Sequence, residues 1–320
     1  MMRAMRLLTP VMVLILAACG GEPAGEQERL APVVVYAAHD NVEYLEGLFE
    51  DFTGQTRIPV TLRPGEAGPL VDDVIANRGS PPADVLLTTS AADAWRAADE
   101  GALRPIGAEN LGNVAEFLRD PDRLWTATRM SAIVVAEGPK PAQERPTSYA
   151  DLGKPAYSGS LCLSSSSLPV NRSLIAMLIS ELGTKPAERV VRGWVRNLAS
   201  PVFETEAALS VAVEAGTCDY AILSRSLVAG AWTLPKPAYV HIEGIGIARH
   251  ARYPDSANEL IDWLLSEDVQ ARHARAMKAS PVVTNLVDSP LAETISMKNV
   301  GMAGWHDNDA VLLAERAGYR

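Results

Sequence analysis

Aromatic residues make up only 6% of this 320-residue sequence. That argues against the stacked-base platforms of single-strand nucleic-acid binders. Basic residues are also short. Lys and Arg total 29 against 39 Asp and Glu, for a formal net charge of −10, and they form no run. A nucleic-acid partner normally leaves a basic patch or stripe, so none is expected. Cysteine occurs three times, never at zinc-ligand spacing. There is no G-x-S-x-G elbow of the kind that seats a hydrolase serine. His241, His250, His273 and His306 lack the company a catalytic set needs. His241 reads as a strand residue and His273 as an exposed helix residue. The chain is therefore not expected to be an enzyme. No repeat of solenoid length occurs, and no apolar run beyond the first twenty residues approaches membrane-spanning length.

Those first twenty residues form a separate object. Arg3 and Arg6 make a positive start, residues 7–16 are mostly apolar, and Leu16-Ala17-Ala18-Cys19-Gly20 follows. The layout is that of a secretory signal, and it resembles the lipobox of bacterial lipoproteins, in which the cysteine is lipidated. Residues 1–18 are expected to be a signal peptide and 19–31 a lipidated tether. The mature protein is then exported to the periplasm or cell surface and anchored through Cys19. This leaves Cys162 and Cys218. Two remaining cysteines in an exported chain are a natural pair, although sequence does not give their separation.

The rest of the chain alternates strand and helix patterns, with 48% hydrophobic residues and enough length for two domains. Val33-Val34-Val35-Tyr36 predicts a buried strand. Leu45, Leu48, Phe49 and Phe52 predict a helix ending at Gly54. Further strands are expected over 58–62, 83–87, 130–136, 161–163, 219–223 and 239–248, and a long amphipathic helix over 258–277. This order predicts an α/β fold with mostly parallel sheets. In such sheets, ligands sit beyond the carboxyl ends of strands. Four strand ends share small hydroxyl or charged groups: His39-Asp40, Thr88-Thr89-Ser90, the run Ser164-Ser165-Ser166-Ser167, and Ser224-Arg225-Ser226. Each alone is ordinary turn chemistry; together they predict a common cleft.

The segments VVVYAAHD, PPADVLLTT, LCLSSSSLPVNRSLIAMLI, EAGTCDYAILSRS and VHIEGIGIARHA, in this order, resemble the extracytoplasmic solute-binding proteins of bacterial ABC importers, and within them the ferric-iron-binding branch. The resemblance implies two α/β lobes around a ligand cleft, with lobe 1 over 32–129 and 240–284 and lobe 2 over 130–239 and 285–320. It implies delivery to an ABC permease by a monomer, and some relatives imply the Cys162–Cys218 disulfide. The branch holds iron through adjacent tyrosines. Here those positions fall on Ser226 and Leu227, a further tyrosine position falls on Val170, and a carboxylate position falls near Thr89. Asp40 stands where the family histidine usually sits. Neutral hydroxyls and a guanidinium suit a hard ferric cation poorly and an oxyanion better. The expected ligand is thus an anion, a zwitterion or a metal–anion pair. It would be held by Ser165, Ser166, Asn171, Arg172, Arg225 and Ser226 on one lobe and by His39, Asp40, Thr89 and Ser90 on the other. No resident cofactor is expected. The alternatives are ferric iron, or another metal, on an unusual set built from His39, Asp40 and Glu66, and a ligand sensor with no transport role.

Overall fold

A computed structural model of the chain describes residues 32–38, 41–142, 144–286, 289–296 and 300–320. Cys19, His39 and Asp40 lie outside the described residues. Nine strands are β1 (Val33–Ala37), β2 (Val60–Pro64), β3 (Val85–Thr88), β4 (Leu103–Arg104), β5 (Trp125–Glu137), β6 (Leu161–Cys162), β7 (Tyr220–Ser224), β8 (Trp232–Thr233) and β9 (Val240–Ala248). The α-helices are α1 (Val42–Thr56), α2 (Ala67–Ile75), α3 (Ala91–Asp99), α4 (Pro169–Leu182), α5 (Thr184–Arg196), α6 (Glu206–Glu214), α7 (Pro254–Leu264), α8 (Glu267–Ala276), α9 (Ser289–Thr294), α10 (Gly301–Trp305) and α11 (Asp307–Ala317).

The main strand order is β2-β1-β3-β9-β5-β7-β6. β1 pairs in parallel with β2 and β3, and β6 in parallel with β7. β9 and β5 are antiparallel to their neighbours. Parallel pairing is therefore confined to the outer strands. A strand that passes from one lobe to the other and another that returns must run in opposite directions, which makes the sheet mixed. All five β1 residues are buried, as expected for a strand covered by helices on both faces.

β5 is the long element because it serves both lobes. Its first part pairs with β9 as far as Ala132. From Ile133 it pairs with β7. Two apolar cores flank the sheet. One contains β1, β3 and the helices α1 and α7 and continues into the second lobe through α6 and one face of β7, and the other contains α4, α5 and α11. Tyr149 fastens the second lobe to both crossing strands. Its hydroxyl donates to the Ile133 carbonyl at 2.6 Å and accepts from Tyr239 N–H at 3.2 Å, while its ring stacks on Tyr239. Near the C-terminus, α10 packs against both α3 and α4. Trp95 and Trp305 meet edge to face there, and Gly304 is required because a Cβ would stand 2.5 Å from Trp95 Cβ.

Three local expectations change. α1 continues past Gly54 to Thr56, where Arg57 takes a left-handed φ of 64°; the Thr56 hydroxyl donates to Phe52 O at 2.9 Å and buried Ile58 leads into the next strand. The expected helix over 258–277 is two helices, broken at Leu265-Ser266. Ser266 is extended, and Glu267 and Asp268 occupy the new first turn, where acidic groups suit the helix dipole. His273 is buried rather than exposed, because α8 turns that face onto the sheet.

Candidate functional site

A cavity of about 640 Å³ lies between the two lobes. One wall comes from the first lobe: Asn41 before α1, Thr89 after β3, and Met277 and Lys278 after α8. The other comes from the second lobe: Leu168, Pro169 and Val170 at the start of α4, Thr205 and Glu206 at the start of α6, and Ser224, Ser226 and Leu227 around the end of β7. Arg129, Ser131 and His241 form the floor.

The floor follows from strand geometry. Arg129 faces Glu243, and Ser131 faces His241, across the antiparallel β5–β9 pair. Directly opposed residues share a sheet face, and so do residues two apart on one strand. All four side chains therefore stand on one face of the two crossing strands. An irregularity in the pairing between Ala127 and Arg129 sets this register; bulges of this kind re-aim side chains near sites.

The floor is also electrostatically organised. Arg129 Nη2 donates to Glu243 Oε1 at 2.5 Å, with side-chain exposures of 13% and 3%. The second carboxylate oxygen lies 3.8 Å from His273 Nε2, and Tyr44 Oη lies 2.7 Å from His273 Nδ1. Burial raises the Tyr44 phenol pKa. His241 Nδ1 lies 3.2 Å from Ser173 Oγ on α4, and the Thr89 backbone stands beside the ring. Burial, reinforced by Arg129, pushes the imidazole down to about 4, so it is neutral near pH 7. This serine–histidine pair has a backbone group, not a carboxylate, on the imidazole's other side, unlike a hydrolase triad.

On the second-lobe wall, Thr205 caps α6 by accepting from Ala208 N–H at 3.2 Å. The Glu206 carboxylate accepts from Ser224 N–H at 2.6 Å and from the Ser224 hydroxyl at 3.0 Å. Among the described residues the lining thus offers a guanidinium, an ammonium from Lys278, one carboxylate and several hydroxyls. Such a set can grip a solute carrying an oxyanion at one end and a cationic or donor group at the other.

Of the residues expected from sequence, the structure brings Thr89 and Ser226 to this cavity and turns others elsewhere. Ser165, Ser166 and Arg172 line a separate concavity of about 580 Å³ beside Tyr319 and Arg320. The C-terminal segment packs over the serine loop, and Ser166 donates to the Tyr319 carbonyl at 3.1 Å. Arg172 is engaged by Asp307, with Nε donating to Oδ1 at 2.9 Å. Asn171 is a buried brace whose amide donates to Ser164 Oγ and Ser165 O, both at 2.9 Å. Arg225 lies over the Trp232 ring and donates to the Val228 carbonyl at 2.8 Å. Ser90 caps α3 and donates to Asp93 Oδ2 at 2.7 Å. Glu66 is the residue before α2. No cluster of three or more metal-ligating His, Cys, Asp or Glu side chains occurs among the described residues.

Sequence reading missed Arg129, Ser131, Glu206 and Lys278, and treated His241 as a plain strand residue. A signal was present. Arg129 and Ser131, and likewise His241 and Glu243, are polar residues two apart within strand-forming stretches. That spacing puts them on one face.

Comparison with known proteins gives a consistent result. Residues 80–308 match the family model described as bacterial extracellular solute-binding protein. Iron uptake protein A1 of Synechocystis sp. is 27% identical over 311 residues, covering 88% of this chain and 84% of that protein. The Fe(3+)-binding periplasmic protein of Serratia marcescens is 23% identical, covering 82% of each. Among solved structures, a Trichodesmium protein (IdiA, FutA) in complex with iron and citrate is 27% identical with a TM-score of 0.79, covering 91% of this chain and all of that one. The ferric binding protein of Campylobacter jejuni shares the fold at 20% identity, with a TM-score of 0.79 over 91% of this chain and all of that one.

Proposed function

The chain belongs to the bacterial extracellular solute-binding proteins, and on that premise we propose that it captures a charge-paired solute between its lobes and presents it to an ABC permease. The observation that carries this reading is the lining itself. Arg129 and Lys278 offer cationic donors on the floor and first-lobe side, and Glu206 offers a carboxylate opposite. No tyrosine lines the cavity among the described residues. Hydroxyl and Arg donors recognise oxyanions; they do not replace the anionic oxygens a bare ferric ion requires. The ligand is therefore a zwitterion or a metal–anion pair, with the anion at Arg129 rather than at Arg172 or Arg225.

The names of the relatives favour iron as the metal of such a pair. His39 and Asp40, just before cavity-lining Asn41, are the sequence candidates to touch it. On this reading one lobe is built from 32–129 and 240–284 and the other from 130–239 and 285–320, and hinge closure traps the solute. The chain acts as a monomer, outside the cytoplasm, anchored by a lipid on Cys19. Among the described residues no helix is long and apolar enough to cross a membrane.

A thermal-shift panel of ferric citrate, inorganic phosphate, ω-amino carboxylates, aminoalkylphosphonates and simple dicarboxylates tests this reading. A charge-paired probe at a hundred times its Kd stabilises by about 2.7 kcal/mol. Arg129→Lys keeps the charge but removes the planar fork, and it weakens that response. A panel with no responder, or a response equal in Arg129→Lys, contradicts the reading.

A further inference from the structure

Ser131 is 5% exposed, lines the interlobe cavity, and its hydroxyl has no hydrogen-bond partner among the described residues. Buried hydroxyls are nearly always paired, so an unpaired one facing a cavity points to an occupant. Its cross-strand neighbour is His241, and directly opposed side chains lie within about 5.5 Å at Cβ. His241 in turn touches both lobes. Thr89 follows β3 in the first lobe, and Ser173 belongs to α4 in the second. Any rotation of one lobe against the other changes the distance between Thr89 and Ser173, and so moves one of them relative to the ring.

Resting on the proposed capture of a solute in this cavity, we infer that the hinge floor itself senses the solute: Ser131 donates its hydroxyl to the bound oxyanion, and His241 is the positioning residue that couples this contact to the angle between the lobes. The imidazole works as a neutral hydrogen-bonding strut. Three features support that role: its bond to Ser173 and its contact with the Thr89 backbone reach opposite lobes, it sits beside the floor hydroxyl left unpaired among the described residues, and both residues lie on the strands that cross between lobes. A solute atom on Ser131 thus sits beside the group that holds Thr89 and Ser173 at a fixed spacing.

The test has arms with and without ligand. In ligand-free protein, Ser131→Ala melts within about 1 °C of wild type or above it, because the hydroxyl has no internal bond to lose. A loss of several degrees overturns the assignment of Ser131. Spin labels at exposed positions 50 on α1 and 189 on α5 report the interlobe distance. His241→Leu broadens the ligand-free distance distribution, and His241→Gln, which keeps a donor and an acceptor, restores much of it. A distribution in His241→Leu equal to wild type overturns the coupling. With ferric citrate as the probe, Ser131→Ala weakens binding about 10- to 150-fold, the range of one lost hydrogen bond to a charged group, and unchanged affinity overturns the contact. If wild type binds no member of the panel, the proposed solute class fails, while the melting and distance arms still decide the roles of Ser131 and His241.

Discussion

Glu243→Leu lowers the stability of the protein by about 3–5 kcal/mol, the usual cost of removing one member of a buried ion pair. The argument is electrostatic. Arg129 and Glu243 have side-chain exposures of 13% and 3% and a contact of 2.5 Å. Without the carboxylate, a guanidinium stays in a poorly solvated floor with its charge uncompensated. Glu243→Gln retains an acceptor oxygen and costs less. The double variant Arg129→Leu with Glu243→Leu recovers most of the loss, because replacing both charges with apolar groups is often close to neutral. Urea unfolding of wild type, Arg129→Leu, Glu243→Leu and the double variant measures this as a double-mutant cycle. A single Glu243→Leu that costs no more than the double variant contradicts the account. Solute capture separates the two effects: the double variant folds but loses the anion-anchoring fork.

The second large effect concerns the disulfide. Cys162 ends β6 and Cys218 precedes β7, with Cα atoms 5.9 Å apart and a sequence separation of 56. The bond closes a loop that contains α4, α5 and α6. Replacing both cysteines with alanine costs about 2–4 kcal/mol, chiefly by freeing the unfolded chain. The loss falls on the second lobe, so its unfolding separates from that of the first, and a single two-state transition no longer describes the molecule. Mass spectrometry of the non-reduced protein finds no free thiol at these two positions. Two free thiols, or a double variant as stable as wild type, contradict the prediction.

Strand positions were legible because β-branched runs such as Val33-Val34-Val35 are fully buried and need no tertiary information to be recognised. The extent of β5 was not. Residues 125–129 read Trp-Thr-Ala-Thr-Arg, which lacks a plain apolar run, yet pairing with β9 carries them into the sheet. The break at Leu265-Ser266 was hidden for a related reason. The apolar spacing runs through it, and the break shows in bonds the pattern does not carry: the Ser266 hydroxyl donates to the Trp263 carbonyl at 2.7 Å and the Gln270 amide to the Leu264 carbonyl at 2.8 Å.

At the site, strand ends led to Thr89 and Ser226, which line the interlobe cavity. They misled at Ser165, Ser166 and Arg172, because their neighbours come from the distant C-terminal segment. Tyr319 and Asp307 occupy that side of the loop, and nothing local to residues 164–172 foretells their arrival. The floor residues were readable in principle from their two-residue spacing. What sequence did not give was the partner strand. Arg129 and Glu243 are 114 residues apart, and only the β5–β9 register makes them a pair.

The central claim is that the cleft takes a charge-paired solute without phenolate ligands, and titration with iron tests it most directly. Ferric iron is added with and without citrate while visible absorbance and melting temperature are followed on the same samples. The account predicts stabilisation only when the anion is present, loss of that stabilisation in Arg129→Lys, and no intense phenolate-to-iron charge-transfer band. An intense visible band with stabilisation by anion-free ferric iron, unchanged in Arg129→Lys, would contradict it.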